Sequence, residues 1–189
     1  MMMEYKKGSA LAGIKVLDLG RVIAGPFCAS ILADLGAEVI KVEMPVYGDN
    51  ARDNMPKKDQ VSTYFINFNR SKKGITLNLK KGREVLLRLI EQVDVVIENF
   101  RPGVMEELGF GYETLKKINP RLIYAAVSGF GQSGPYAQRA GYDPIAQAMS
   151  GIMSVTGWPQ QAPVRCGGSI ADIMAGQNAT IGILAALQY

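Results

Sequence analysis

Short apolar, β-branched stretches alternate with amphipathic stretches along most of the chain. Residues 14–19 (IKVLDL) predict a buried strand, and residues 26–35 (PFCASILADL) predict a helix with proline in its first turn. The same patterns predict strands at residues 37–43, 74–79, 94–98 and 122–127 and helices at residues 82–93 and 104–118. This order predicts an α/β fold with a largely parallel sheet covered by helices on both faces.

From Asp172 onward the sequence IMAGQNATIGILAALQY predicts an apolar helix of small residues. The helix reaches Tyr189 without a glycine stop or a basic last turn. A helix of this composition is expected to pack inside a larger body. The pattern therefore predicts that a C-terminal portion of the protein is absent from the chain.

The charge and the amino-acid composition of the chain argue against several classes of function. The net charge of +4 suits an anionic small molecule, and the chain lacks the dense basic blocks of a nucleic-acid surface. With no histidine, the usual general base and the commonest zinc ligand are missing, and we expect no metal site. Cys28 and Cys166 lie far apart and indicate reduced thiols ahead of a disulfide. No signal peptide and no membrane span are apparent, so a cytoplasmic location is expected.

Glycine and polar residues follow several predicted strands, and ligands of open parallel sheets bind beyond those strand ends. These segments are residues 20–26, 44–45, 99–103 and 128–135. Glycine lets backbone amides approach a ligand, and helix N-termini favour anions. Arg101, Lys72, Lys73 and Lys80 could neutralise phosphates. Together these features indicate an anionic, nucleotide-like ligand.

Known nucleotide motifs do not match these segments. Residues 20–25 have the glycine spacing of a P-loop, but Pro26 and Phe27 replace its Lys-Ser/Thr pair. The GxGxxG pattern required of an NAD-linked oxidoreductase is absent, although Glu43 ends the second strand where a ribose-binding acid would lie.

Several longer stretches resemble one family. KVLDLGRVIAGPFCASILADLGAEVIKVE, RSKKGITLNL, ENFRPGVMEELGF, AGYDPIAQAMSGIMSVTG and GSIADIMAG are similar, in order and wording, to family III CoA-transferases. This family includes formyl-CoA, carnitine and bile-acid CoA-transferases. The resemblance implies a Rossmann-like large domain, a second smaller domain and an interlocked homodimer. Residues 1–10 would then be an N-terminal tail, and residues 11–189 the N-terminal part of the large CoA-binding domain.

The resemblance also implies a site. Its catalytic aspartate falls on Asp172, its substrates would be an acyl-CoA and a carboxylic acid, and no permanently bound cofactor is expected. The CoA contacts of the family fall on Ile23, Ala24, Leu77, Asn78, Leu79, Lys80, Asn99, Phe100, Arg101, Gly129 and Phe130. At three positions where formyl-CoA transferases have cations, this chain has Met44, Glu107 and Ser128. The difference predicts another way of binding the CoA phosphates and argues against formyl-CoA transfer.

A carboxylate can attack an acyl-CoA thioester, and no proton needs to be removed, so a site without histidine is adequate. From its spacing alone, Asp172 could equally be a helix N-cap. Free amides at a helix start would keep it ionised. Asp143 precedes a proline and is more typical of a turn cap, and Asp18 is expected to be structural.

Two alternatives of other kinds stay open. The related 2-methylacyl-CoA racemases have a histidine where Tyr142 stands, and a tyrosine with a pKa near 10 is a poor base at neutral pH. A non-catalytic CoA- or nucleotide-binding module would bind CoA without forming any covalent adduct. Met149, Met153, Trp158 and Met174 either line an apolar acyl pocket or pack in the core.

Overall fold

The computed structural model of the protein describes residues 8–189. Its strands are β1 (Lys15–Asp18), β2 (Glu38–Glu43), β3 (Lys57–Lys58), β4 (Val61–Ser62), β5 (Lys73–Thr76), β6 (Val95–Glu98) and β7 (Ile123–Ala126). Its α-helices are α1 (Ala24–Asp34), α2 (Thr63–Asn69), α3 (Arg83–Ile90), α4 (Val104–Glu107), α5 (Tyr112–Ile118), α6 (Asp143–Met149) and α7 (Ile170–Gln188). Short 3₁₀ helices span Asn50–Asp53 and Ile152–Val155. Residues 1–7 of the predicted tail lie outside the described residues.

The central sheet has five strands in the order β5-β2-β1-β6-β7, and all neighbours in it are parallel. Val16 in β1 pairs with Val39 on one side and with Val95 on the other. The chain thus builds outward from β1 in one direction and then returns to add β6 and β7 on the other side. The predicted parallel sheet is confirmed, and its strand order reverses between β1 and β6.

Alternate residues of the buried strands serve two cores. Val16, Val95 and Ile97 face α1 and α7, where they pack with Cys28, Leu32 and Ile183. The neighbouring residues Leu17, Val42 and Val96 face α3, α4 and α5, and pack with a second group that includes Leu86, Ile90, Met105, Phe110 and Leu115. Both faces are apolar because helices cover both.

Helix α7 is a special case. By length and composition α7 could cross a membrane, since an 18-residue segment of it has a mean hydropathy of 1.4. No membrane span was expected from the sequence. One side of α7 is buried at Gly176, Thr180 and Ile183, and it packs against α1 and β7. On its other sides Met174 and Ile181 are 50% and 64% exposed. Its apolar composition is therefore only partly accounted for by the packing of residues 8–189.

The predicted helix at residues 104–118 is two helices. Gly109 has a φ of +78°, which a helix cannot contain, and it separates α4 from α5. Helices α2 and α6 were not predicted, and neither was the β3–β4 hairpin. Strand β5 ends at Thr76, so residues 77–79 of the predicted strand lie beyond it.

Candidate active site

A cleft of about 300 Å³ opens at the carboxyl ends of β1, β6 and β7. This is the side of the sheet on which α1 begins, next to the point where the strand order reverses. Ligands of open α/β folds bind at such a point, because neighbouring loops diverge there and leave a crevice. The fold alone therefore marks this cleft as the candidate site.

Six stretches of chain form its walls. Residues 21–24 follow β1, residues 99–102 follow β6 and residues 127–129 follow β7. The other three are Asn50, residues 139–143 with Ala146, and the first turns of α7. Gly129 and Gly141 let two of these walls touch, since a Cβ on Gly129 would lie 2.7 Å from the Gly141 Cα. Glycine at these two positions thus permits close backbone contact beside the cleft.

Asp172 lies in the first turn of α7 and lines the cleft. It is not the N-cap: that residue is Ser169, three positions earlier. The free amides of this turn are occupied by another residue, because the Ala171 N–H donates to Asp143 Oδ1 over 2.8 Å and the Asp172 N–H donates to the same atom over 3.4 Å. Asp143, on α6, therefore caps α7 from outside the helix.

This arrangement corrects two expectations from the sequence. Asp143 is buried and holds a neighbouring helix, where a local turn cap was expected. The helix start was expected to favour the ionised form of Asp172, whereas burial, followed by the charge of Asp143, raises its pKa from 3.8 to about 6. At pH 7 the carboxylate is still mainly ionised, as expected, although its pKa is shifted in the opposite direction.

Gln147 binds Asp143, the residue that caps the helix of Asp172. Its side-chain amide donates to Asp143 Oδ2 over 2.6 Å, and its Oε1 accepts from the Cys166 N–H over 2.8 Å. Gln147 is fully buried. Asp143 and Gln147 together fix the approach of the chain to α7, and with it the position of Asp172.

The structure brings many of the predicted site residues together. Asp172, Ile23, Ala24, Asn99, Phe100, Arg101 and Gly129 all line the cleft. Leu77, Asn78, Leu79, Lys80 and Phe130 are not among the lining residues. Leu77 and Leu79 pack against the second core, and the Asn78 side chain accepts from the Lys80 N–H over 3.0 Å in a turn. This segment follows the edge strand β5, three positions across the sheet from β6.

Two lysines suggested as phosphate ligands have other partners. Lys72 Nζ lies 2.8 Å from Asp18 Oδ2 with its side chain 1% exposed, so it is part of the interior. Lys73 Nζ lies 2.7 Å from Glu38 Oε1 at the surface. Asp18 is structural, as expected, and Glu43 binds Arg52 through both carboxylate oxygens. The positive charge that does line the cleft comes from Arg21, Arg101 and Arg139.

Sequence reasoning missed Arg139 and Tyr64, whereas Arg21 and Ser128 belong to the strand-end segments that it placed at the ligand edge. Arg21 and Arg139 line the cleft, and Tyr64 on α2 lies near Asp172 and Asp143, whose charges add to burial in raising its pKa. Ser128 also lines the cleft, and its Oγ is a buried atom without a hydrogen-bond partner among the described residues. The position of Ser128 directly after a predicted strand indicated its place, but nothing in the sequence places Tyr64 there.

The suggested apolar acyl pocket is not formed by these residues. Met149, Trp158 and Met174 are 51%, 78% and 50% exposed, and neither they nor Met153 line the cleft. Cys28 is buried and Cys166 half-buried, and both are free thiols. Within residues 8–189 no group of three His, Cys, Asp or Glu side chains could hold a metal ion.

Comparisons with known proteins show the family and the fold. The sequence model of CoA-transferase family III matches residues 11–189. The chain is 52% identical to acetyl-CoA:oxalate CoA-transferase from Acetobacter aceti, over 93% of this chain and 46% of that protein. It is 47% identical to succinyl-CoA:glutarate CoA-transferase from Mus musculus, over 94% of this chain and 41% of that protein.

Among solved structures, a CAIB/BAIF family protein from Brucella suis superposes with a TM-score of 0.91 at 45% identity, over 96% of this chain and 50% of that one. The chain belongs to CoA-transferase family III. It spans less than half the length of the two curated relatives.

Proposed function

We propose that the complete protein transfers coenzyme A from an acyl-CoA to a free carboxylic acid, with Asp172 as the nucleophile. The observation that carries this proposal is the position of Asp172: a carboxylate of raised pKa lies in the cleft at the strand ends, and three arginines line the same cleft. Membership of CoA-transferase family III supports the reaction class.

In the first half of the reaction, an oxygen of Asp172 attacks the thioester carbonyl and the carbon–sulfur bond breaks. This gives a mixed anhydride and CoA thiolate. The thiolate then attacks the aspartyl carbonyl, which releases the donor acid as a carboxylate and leaves CoA on Asp172 as a thioester. The acceptor carboxylate repeats the two steps in reverse order, forming its own acyl-CoA and restoring Asp172. No step consumes a proton.

The cleft residues suggest how each part is bound. Arg21, Arg101 and Arg139 are cations for the CoA phosphates and for an acid substrate. The two relatives compared above are named for oxalate and glutarate, which are dicarboxylates. We propose that this protein also accepts a short dicarboxylic acid. The interlocked homodimer and the cytoplasmic location expected from the sequence are parts of the same proposal.

The proposal is tested by replacing Asp172 with alanine in the complete protein. Transfer from an acyl-CoA to a panel of mono- and dicarboxylic acids should fall by several orders of magnitude, because the covalent route is lost. CoA binding should persist, since Asp143 rather than Asp172 caps α7. Wild-type protein mixed with acyl-CoA and quenched with hydroxylamine or borohydride should be modified only on the peptide that contains Asp172.

Asp143→Asn is the matched variant, because it neutralises the neighbouring carboxylate and leaves the proposed nucleophile in place. It should retain covalent labelling on Asp172. Near-normal turnover by the Asp172→Ala variant, or a label on Asp143, would disprove the assignment. Binding of CoA without any covalent adduct in the wild type would favour a non-catalytic binding module.

A further inference from the structure

The loop between β1 and α1 forms one wall of the cleft and has an unusual backbone. Val22, at its centre, has a φ of +64°, in the left-handed region that β-branched residues rarely adopt. Such a conformation persists only where surrounding contacts impose it. The contact that acts on Val22 directly is Asp49: the Val22 N–H donates to Asp49 Oδ1 over 3.0 Å and reaches Oδ2 at 3.3 Å.

Asp49 is itself held by a buried cation. Lys41 Nζ lies 2.9 Å from Asp49 Oδ2, and the two side chains are 3% and 1% exposed. Lys41 Nζ also donates to the Gly20 carbonyl over 2.8 Å. A buried ion pair is weak evidence for stability, because losing its hydration costs about as much as the attraction returns. Both members of this pair instead contact the backbone of the same loop.

Other polar side chains hold the rest of the loop. Asn99 accepts from the Arg21 N–H over 2.7 Å and donates to the Arg21 carbonyl over 2.8 Å. Asp18 accepts from the Gly20 N–H over 2.8 Å, and Lys72 donates to the Pro26 carbonyl over 2.7 Å. Polar contacts therefore fix the loop backbone at four positions: 20, 21, 22 and 26.

From these contacts we propose that Asp49 is a positioning residue. It holds Val22 in the left-handed conformation, so that the cleft wall formed by residues 21–24 has its binding shape before a ligand arrives. Asp49 is not among the residues that line the cleft, so it does not act by touching the ligand. Its Oδ1 also accepts from the Ala51 N–H over 2.9 Å and so caps the 3₁₀ helix Asn50–Asp53, whose first residue lines the cleft, and the contact with Val22 is the one that the proposal concerns. The ligand of this wall is taken to be coenzyme A, and to that extent the inference rests on the proposed function. Preorganised walls improve affinity because binding then does not have to order them.

The test uses the complete protein with Asp49→Ala and Asp49→Asn, and measures the Kd of CoA by calorimetry together with kcat and KM. Asp49→Ala should weaken CoA binding by about tenfold, or roughly 1.4 kcal/mol. Asp49→Asn keeps an acceptor for the Val22 N–H and should lie between the alanine variant and the wild type. Asp53→Ala is the matched control, because Asp53 ends the 3₁₀ helix that Asp49 caps and its side chain is 90% exposed. The Asp53→Ala variant should bind CoA as the wild type does.

A second substitution separates positioning from general stability. Val22→Gly in the Asp49→Ala background should recover part of the lost affinity, because glycine adopts a positive φ without help. Wild-type affinity in the Asp49→Ala variant, or no recovery in the double variant, would overturn the inference.

Amide hydrogen exchange at Val22 provides a readout that does not depend on CoA. Exchange should be slow in the wild type, at least tenfold faster in the Asp49→Ala variant, and intermediate in the Asp49→Asn variant, which is the milder change if alanine prevents folding. Equal exchange in the wild type and both variants would overturn the inference. If the wild type fails to bind CoA, the proposed function fails, and the exchange rates still decide the role of Asp49.

Discussion

Asp172 should destabilise the protein at neutral pH, and replacing it with asparagine should reveal by how much. Its pKa rises from 3.8 to about 6 on folding, mainly through burial and then through Asp143. At 1.36 kcal/mol per pKa unit this corresponds to about 3 kcal/mol. Because Asp172 is only partly buried, screening by solvent reduces the expected cost to about 1–2 kcal/mol.

The sign follows from the proton balance. Below about pH 3 the carboxyl group is mainly protonated in both states and its cost is negligible. As pH rises toward 6, the unfolded chain has released the proton and the folded protein retains it, so the free energy of unfolding falls. Above about pH 7 the cost is complete. The neutral asparagine avoids this cost at every pH.

We therefore expect Asp172→Asn to be more stable than the wild type by about 1–2 kcal/mol at pH 7.5, and by about a third of that at pH 4.5. Urea unfolding of the complete protein, followed by circular dichroism, measures both values. Asp53→Asn is the control, because Asp53 is 90% exposed and should change stability by less than about 0.5 kcal/mol. An equal gain at both pH values, or a loss at pH 7.5, would show that the carboxylate is not strained by its surroundings.

Two further predictions concern the walls and support of the cleft. Gly176→Ala should destabilise the protein by about 1–3 kcal/mol in thermal or urea unfolding, because the new Cβ would lie 2.8 Å from the Ala24 carbonyl oxygen. Gly182→Ala on the same helix is the control: its Cβ meets nothing within 4 Å, so the substitution should be neutral or stabilising. If both variants behave alike, the close contact of α7 with α1 is not important. Ser128→Ala should leave unfolding unchanged or slightly raise stability, because the hydroxyl has no hydrogen-bond partner within residues 8–189. The same variant should weaken CoA or acid binding about 3- to 10-fold in titration calorimetry. Unchanged binding would mean that the hydroxyl does not contact the ligand.

The sheet could be predicted because its strands are short and buried on both faces, so that β-branched runs stand out in the sequence. Helix α2 was missed because its sequence, TYFINFN, has aromatic and polar residues without a clear apolar stripe. Helix α6 was missed because Pro144 suggested a turn, although proline is well tolerated in the first turn of a helix. Packing with neighbouring elements decides both cases, and packing is not visible in a local pattern.

The cleft was predictable in part for the same reason. Loops that follow adjacent parallel strands meet at one edge, which explains why residues after β1, β6 and β7 come together. Residues 77–79 were expected to contact CoA from the family resemblance and not from strand-end reasoning; they follow β5, at the far edge of the sheet, and do not line the cleft. Lys72 and Asp18 are 54 residues apart, and nothing in the sequence indicates that they pair.

Helix α7 joins the proposed nucleophile to the protein interior in a single rigid element. Asp172 is at its open end, and Ile183, which is 2% exposed, is anchored in the first core. Eleven residues of helix separate the two positions, or about 16 Å. A misplacement of about 1 Å at a reacting group can lower the reaction rate about a hundredfold. Substitutions at Ile183 that only repack the interior should therefore have a larger effect on the rate of the reaction than on the free energy of unfolding. Random mutagenesis screened for activity would then recover interior positions of α7 that a screen for folding would pass over.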